Sequence, residues 1–392
     1  MGSRDEAATG SLTEGDISLM QQFTTLAVAL AAIGNAASAA SVSGSPEGYG
    51  ASATGGAAGS TVTPTSTDEL TSYLTSDEAL TVVLTQTFDF RGTEGTASET
   101  GCAPYGTGSS CQVAINKDDW CTNYQPDAPS ADVSYDKAGL NPIEVASDKT
   151  IIGEGSSGVI LGKGLRMANG VSNIIIQNIA ISELNPQYVW GGDAITLSGT
   201  SNIWVDHVTT SLIGRQHIVT GNSQNTGVTI SNNFVNGTTS WSANCDSYHY
   251  WAVYMTGTED TITFKGNYIY HTSGRSPKLG SNAVVHMPNN YWDDINGHAL
   301  EGESAYALIE GSVFQDVTTT ETDWSGALYA PSSDDSACQS ALGRSCYANS
   351  YSSADALSGS DSSVLSQIGS NAADCDSADN IGDVPNNAGN TL

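Results

Sequence analysis

Ile174-Ile175-Ile176, Ile203-Trp204-Val205 and Val228-Thr229-Ile230 are three short apolar runs, each followed by polar turn residues. Runs of this length are strand-sized. Outward from them the signal recurs, at Ile151-Ile152 before and at Thr261-Ile262-Thr263-Phe264, Ala283-Val284-Val285 and Ala307-Leu308-Ile309 after, mostly 20 to 35 residues apart. Short strands at that period, with no helical periodicity between them, predict a solenoid. One coil cannot bury its own apolar side chains, whereas stacked coils form a continuous core with strands bonded above and below. Asn or His follows several runs, at Asn178, His207, Asn232, Asn267 and Asn290. Stacked coils would place these in a ladder at one bend, which accounts for them better than a metal site does.

A stack needs caps at its ends. Ser66-Thr67-Asp68-Glu69 reads as a capping box for a short helix through Leu74, suited to the N-terminal end. Thr81-Val82-Val83-Leu84 follows as a buried strand, and the Gly/Ala/Ser-rich residues 41–60 read as an extended N-terminal segment. From about Ala330 the chain turns loop-rich in Ser, Asp, Asn and Gly, as expected of a strap over the C-terminal end or an exposed tail. The expected division is 1–40 as an N-terminal extension and secretory signal, 41–330 as the β-solenoid, and 331–392 as the tail.

Export is predicted by the small-residue apolar stretch from Thr24 to Ala40 with Ala37-Ser38-Ala39 as cleavage site, too short to span a membrane. Met1 to Leu19 is polar and acidic, with Arg4 its only base, so Met20 offers an alternative start. Six cysteines fall in local groups, Cys102, Cys111 and Cys121, then Cys245, then Cys338 and Cys346, none in C-x-x-C spacing. Disulfides fit an exported chain; the pairing stays open among the 15 arrangements six cysteines allow, with Cys375 left over. Asn236-Gly237-Thr238 is a glycosylation sequon. The 42 acids against 12 bases give a net charge of -30, which argues against nucleic acid or an anionic membrane as partner and disfavours a strongly anionic polymer.

Gly153-Glu154-Gly155-Ser156-Ser157-Gly158 matches a dinucleotide-binding pattern but leads into the strand Val159-Ile160-Leu161, where such a site needs a helix; a turn between strands explains the glycines. No H-E-x-x-H, G-x-S-x-G or phosphate-loop pattern is present. The informative constellation is Val189-Trp190-Gly191-Gly192-Asp193-Ala194-Ile195, Trp204-Val205-Asp206-His207, Ile213-Gly214-Arg215-Gln216-His217 and His271-Thr272-Ser273-Gly274-Arg275-Ser276-Pro277-Lys278. Together these closely resemble the family 1 polysaccharide lyases, and Trp-Gly-Gly-Asp-Ala with Gly-Arg-Gln-His resembles the fungal pectin lyase branch. The resemblance runs from about Ser43 to Cys346.

It implies an all-β fold, a single-stranded right-handed parallel β-helix with a cleft on one side, in which Arg275 is the Brønsted base and Asp193 and Arg215 flank it. Arg215 stands where the calcium-dependent relatives are expected to carry an acid, so the resemblance implies no metal and no other cofactor. The implied chemistry is β-elimination: in a methyl-esterified uronate the C5 proton is acidified by the adjacent carbonyl, and its removal expels the glycosidic oxygen at C4. A neutral ester polymer also suits the acidic chain. Arginine is an uncommon base, since guanidinium holds its proton with a pKa above about 12; nearby cations such as Arg215 and Lys278 and exclusion of water work against a charged side chain.

The resemblance further implies substrate contacts from Lys278, Trp120, Trp190, Trp251, Tyr254 and Tyr105, the last of these, with Tyr124, standing where relatives often carry Trp. It implies the pairs Cys102–Cys121, Cys111–Cys245 and Cys338–Cys346. Asp206 and His207, directly after a strand, suit structural roles, and Trp204 and Trp292 suit the core. His217, His271, His286 and His298 carry no assignment. The expected protein is a secreted monomeric endo-lyase of methyl-esterified pectin, without nucleic-acid or membrane partners. Rival readings are a calcium-dependent pectate lyase, for which Asp193 and Asp206 are too few carboxylates, and a non-catalytic carbohydrate-binding β-helix. A hydrolase would need paired carboxylates, and Asp118-Asp119, Asp293-Asp294 and Asp334-Asp335 show no matching context.

Overall fold

A strand with apolar side chains on alternate positions buries one face only if others lie beside it. Ser172–Gln177 illustrates the outcome: Ile174 and Ile176 are fully buried and stand in register with Ile203 and Val205 of the next coil. The computed structural model describes residues 40–332 and 338–392. The signal stretch, Met1–Leu19, Met20 and Asp334-Asp335 lie outside the described residues.

Every run of the recurring series, from residues 81–84 to 307–309, belongs to one parallel sheet of ten strands among the described residues, from Ser60–Val62 to Gly326–Tyr329, while Val159–Leu161 lies on the second face. Each coil adds two further strands. Ala180–Leu184, Thr209–Ile213, Phe234–Asn236 and Tyr268–Tyr270 stack as a second face; Ile143–Glu144, Leu165–Ala168, Ile195–Ser198, Ile218–Thr220, Val253–Met255 and Lys278–Gly280 stack as a third. The long strand Tyr291–Glu303 turns the corner between these two, with a register shift between Ile295 and His298. The chain is thus a right-handed parallel β-helix whose three faces enclose one column of core, including Ile174, Val205, Ile195, Ile218, Phe264 and Trp292.

The corner between the first and second faces bears out Asn267 and Asn290 as ladder residues and splits the other three expected members, Asn178, His207 and Asn232, into a second column. Asn178, His207 and Asn232 occupy left-handed backbone positions (φ 57°, 49° and 53°) and form one column; the inward ladder is the next residue along, Asn233, Asn267 and Asn290. Asn267 Oδ1 accepts from the Asn233 backbone N–H at 3.0 Å and from its side chain at 2.9 Å, while Asn267 Nδ2 donates to Ile230 O and to Asn290 Oδ1, both at 3.0 Å. Asn267→Ala leaves several buried groups unpaired at once. We expect it to destabilise the fold by about 2–4 kcal/mol, read as a fall in the urea midpoint, whereas a loss under 1 kcal/mol would mean that water repairs the gap.

The N-terminal helix spans Thr67–Thr75; Ser66 Oγ accepts from Glu69 N, and Leu70 and Leu74 are buried against the first coils. The reciprocal bond differs from a strict capping box, because Glu69 reaches Thr65 N at 2.8 Å instead of Ser66. Residues 41–58 lie across the outside of the first sheet and cover Trp204, which is buried beneath Ala53 and not inside the helix. Glycine permits this closeness: a Cβ on Gly50 would fall 2.7 Å from the Thr229 backbone nitrogen.

Residues 339–392 fold back along the left-handed column. Asn289 exchanges bonds with the Asp376 backbone, Gly389 N donates to Asn232 O, and Asn178 exchanges bonds with the Leu392 backbone. The return begins at buried Glu310, which accepts from His286 Nε2 and from Arg344. Burial pushes the Glu310 carboxyl up, but the hydrogen bonds from His286 and Arg344 outweigh it and hold it down at about 2.

Candidate active site

In the third face, alternate side chains point away from the core. In register, rung by rung, Glu144, Arg166, Thr196, Val219, Tyr254, Lys278 and Glu301 form a single outward row. Loops rise around it. Thr96–Cys102 pairs antiparallel with Ser130–Asp136, and Val113–Ala114 runs parallel to Tyr188–Val189. The structure pairs Cys102 with Cys121, Cys111 with Cys245 and Cys338 with Cys346, as the resemblance implies; the first two fasten these loops. Cys375 is free and half-buried.

Arg275 enters this floor three residues before the strand Lys278–Gly280, from a left-handed backbone (φ 48°) whose carbonyl accepts from Val253 N at 2.6 Å. Its guanidinium lies 4.8 Å from the Trp251 ring centre and 4.7 Å from that of Tyr254, with Tyr250 at 5.7 Å. The buried Gln216 amide is satisfied at both ends when its oxygen accepts from Arg275 Nη1 at 3.3 Å and its nitrogen donates to Trp251 O at 3.3 Å. Arg91, Arg166, Arg215 and Arg344 each face a carboxylate within 4 Å. Among the described arginines, Arg275 alone has none, and its Nε is buried without a partner.

Arg215 lies two coils away, 4.0 Å over the Trp190 ring and 3.6 Å from Asp193 Oδ2. Asp193 Oδ1 accepts from the Gln216 backbone N–H at 2.8 Å, so this carboxylate orients Arg215 and anchors the Arg215-Gln216 turn; it does not reach Arg275. Beneath them, His249 Nε2 faces Arg215 O at 2.7 Å and Trp251 O at 3.2 Å. Burial brings the His249 pKa down to about 4, so the ring is a neutral prop. His217 stands edge-on to it at 4.8 Å, also buried.

Lys278 bonds Glu301 at 3.1 Å, and His298 bonds the same carboxylate at 2.6 Å. Burial raises the Glu301 pKa, but the bonds from His298 and Lys278 win and hold it at about 2. Sequence reasoning missed Glu301 and Gln216. Glu301 sits one coil beyond Lys278, at a separation the strand period could have flagged; Gln216 lies inside a quoted motif but its partner is fixed only by packing.

The aromatic residues divide. Trp190, Trp120 and Tyr124 line a shallow cavity of about 250 Å³, with Trp120 edge-on to Trp190 at 5.9 Å and Tyr124 exposed. Trp251 departs from the sugar-stacking expectation: its ring is buried against Arg275, Tyr105 and Tyr250, and its Nε1 donates to Gln112 Oε1 at 3.0 Å, so it props the guanidinium. Tyr105 is its edge-on neighbour at 6.0 Å, and burial raises its pKa to about 12. Asp206 and His207 lie on the first sheet's side, where Asp206 accepts from Gln177, His207, Ser231 and Asn232. Among the described residues no three His, Cys, Asp or Glu side chains are placed to hold a metal ion, and no helix is long and apolar enough to cross a membrane.

Two arginines and a lysine gathered over a floor whose middle, Thr196, Val219 and Tyr254, is uncharged can polarise a carbonyl in their cationic forms, and an arginine in its neutral guanidine form can receive a proton beside it. Solved structures share the architecture. A pectate lyase from Bacillus sp. N165, solved in complex with trigalacturonate, covers 88% of this chain and 98% of its own at TM-score 0.58 and 18% identity. A Bacillus subtilis pectate lyase covers 90% and 99% at TM-score 0.54 and 17% identity. Sequence likeness is much higher to fungal enzymes: pectin lyase A of Emericella nidulans is 54% identical over 94% of this chain and 98% of its own, and pectin lyase D of Aspergillus niger is 55% identical over 87% and 91%. The fold and this kinship define a polysaccharide lyase on a parallel β-helix. The family model described as pectate lyase matches residues 122–374. The chain belongs to that family, on its fungal pectin lyase branch.

Proposed function

We propose that the protein is a secreted, metal-independent endo-pectin lyase that cleaves methyl-esterified α-1,4-galacturonan by β-elimination, with Arg275 as base. The observation that carries the reading is an arginine at the centre of a cleft with no carboxylate partner. Arg275, acting as the neutral guanidine, accepts the C5 proton and becomes guanidinium, the C5–H electrons form the C4–C5 double bond, and the C4–O4 bond breaks. The departing oxygen takes up a proton, leaving a 4,5-unsaturated sugar. Arg215, held over Trp190, lies on the side where the ester carbonyl gathers negative charge, and a fixed cation there favours the transition state over the ground state. Asp193 keeps Arg215 in place and Lys278 contacts the polymer further along.

Independence from metal rests on the Arg215 guanidinium beside Asp193, which repels a cation where one would be needed. Fit to a neutral ester rests on the uncharged middle of the floor and on the overall -30 charge. A floor seven rungs long suits a polymer engaged in mid-chain, hence endo action, by a monomer. Export through the Thr24–Ala40 stretch agrees with a wall-polymer substrate. Asn236, half-buried at a strand end and bonded through Oδ1 to Thr238 N, would carry a glycan.

Ultraviolet absorbance of the unsaturated product, followed on highly methylated pectin and on polygalacturonate, each with and without a calcium chelator, tests this. Growth on pectin that survives chelation is expected. Activity confined to polygalacturonate with calcium would make the protein a pectate lyase, and silence on both would favour a binding role.

A further inference from the structure

The sequon Asn236-Gly237-Thr238 begins at the end of a strand on the second face, not on the catalytic floor, and its neighbours on that face are aromatic. Three strands present their outward residues in register: Phe234 and Asn236, then Tyr268 and Tyr270, then Tyr291 and Asp293. All six are half-buried, while Val235, Ile269 and Trp292 between them face the core.

The rings are ordered in columns. Phe234 stacks on Tyr268 with ring centres 5.0 Å apart and planes 21° from parallel, close to the distance between neighbouring strands. Tyr270 lies beside Tyr268 at 5.7 Å, 23° from parallel, so its faces are turned to the coils before and after. In the first column the place over Tyr268 is filled by the Phe234 ring. In the second the place over Tyr270 belongs to Asn236, whose side chain is too short to cover the outer part of a tyrosine.

Two polar groups meet at that place with no protein partner among the described residues. The hydroxyls of Tyr268, Tyr291 and Tyr248 bond Asp293, Gln315 and Asp294 at 2.9, 2.8 and 3.1 Å, whereas that of Tyr270 bonds nothing. Asn236 Oδ1 accepts from Thr238 N at 3.1 Å, an Asx turn, and its Nδ2 is left free.

We propose that Asn236 carries an N-linked oligosaccharide whose first N-acetylglucosamine packs on the face of Tyr270, filling the place that Phe234 fills in the next column. The C–H bonds of the sugar ring meet the electron-rich face of the tyrosine, and the free Tyr270 hydroxyl donates to a sugar oxygen. Attachment forms the bond from Nδ2 to the anomeric carbon and releases the diphosphate of a lipid-linked oligosaccharide donor, with one Nδ2 proton lost. A neutral sugar held in place is the occupant the surroundings favour. Asp293 follows Tyr270 in register and Asp294 comes next, so an anionic polymer arriving from solution would be repelled. The inference rests on the export that the pectin lyase reading includes, and adds that the glycan is a packed part of the fold.

The test uses the full chain secreted from a fungal host, as wild type, Asn236→Gln, Thr238→Ala, Tyr270→Ser and the combinations with Tyr270→Ser. Intact mass is expected to show one oligosaccharide on Asn236, trimmed by endoglycosidase to a single N-acetylglucosamine and absent from Asn236→Gln and Thr238→Ala. Removing the sequon by either route should raise the unfolding equilibrium constant in urea by about fivefold, the worth of one ring contact, while trimming to the single sugar should leave it unchanged. In the Tyr270→Ser background, removing the sequon should change nothing. An unmodified Asn236 in the secreted protein would overturn the site, and an equal effect of the glycan with and without Tyr270 would overturn the packing. Both results leave the lyase reading standing if unsaturated product still forms from methylated pectin; a glycosylated, secreted chain that forms none would overturn that reading and not this one.

Discussion

Arg275→Lys is expected to lower kcat by roughly a factor of 1,000, within the range that general base catalysis contributes, with a much smaller change in KM. Basicity alone would predict the opposite, since an ammonium gives up its proton more readily than a guanidinium. Geometry decides. The guanidinium lies against the rings of Trp251 and Tyr254 and reaches Gln216 through Nη1; a shorter chain ending in a single nitrogen cannot keep both the ring contacts and the aim. Single-turnover measurement on methylated pectin separates the proton-transfer step from binding. A kcat within tenfold of wild type would place the base on another residue.

Gln216→Glu should be almost as damaging, lowering kcat by roughly a factor of 100, although the two side chains are nearly the same size. The amide oxygen that now accepts from Arg275 would become a carboxylate oxygen, and a charge-assisted bond is about twice as strong as a neutral one. Arg275 would then resemble the other described arginines, each facing an acid, and its proton would be held. The expected signature is a loss that shrinks at low pH as the new carboxylate is neutralised, with thermal stability kept. Gln216→Met, which removes the acceptor without adding charge, should do less harm than Gln216→Glu. The reverse order would mean that Gln216 merely fills space and that the unpaired state of Arg275 has no bearing on catalysis.

What the sequence made legible follows from how long each signal is. Ile174, Ile203 and Val228 lie in strands of six residues with two or three buried apolar positions, so the first sheet could be counted from periodicity. Ile218–Thr220 and Val253–Met255 are three residues each, and strands so short carry no period; the face that holds the cleft was therefore the least visible. The expected ladder placed Asn267 and Asn290 rightly but mixed in Asn178, His207 and Asn232 from the neighbouring column, because both columns favour asparagine, one for its left-handed backbone and the other for its bonds, and spacing cannot separate neighbours such as Asn232 and Asn233. Arg275, Arg215 and Asp193 stood out through motif resemblance, which carries composition but not contacts. That Asp193 serves Arg215 and that Trp251 lies beneath a guanidinium emerge once coils are stacked.

The returning C-terminal segment changes how such a molecule can come apart. In a stack where each coil touches only its neighbours, stability is close to a sum of local terms, and the ends can fray while the middle holds. Here one stretch of chain is bonded to Asn289, Asn232 and Asn178, coils well separated along the stack, and is rooted at Glu310. Loss of any one coil therefore loosens contacts several coils away. A modular array becomes a body that melts as a unit, and the catalytic floor inherits the rigidity of the whole length.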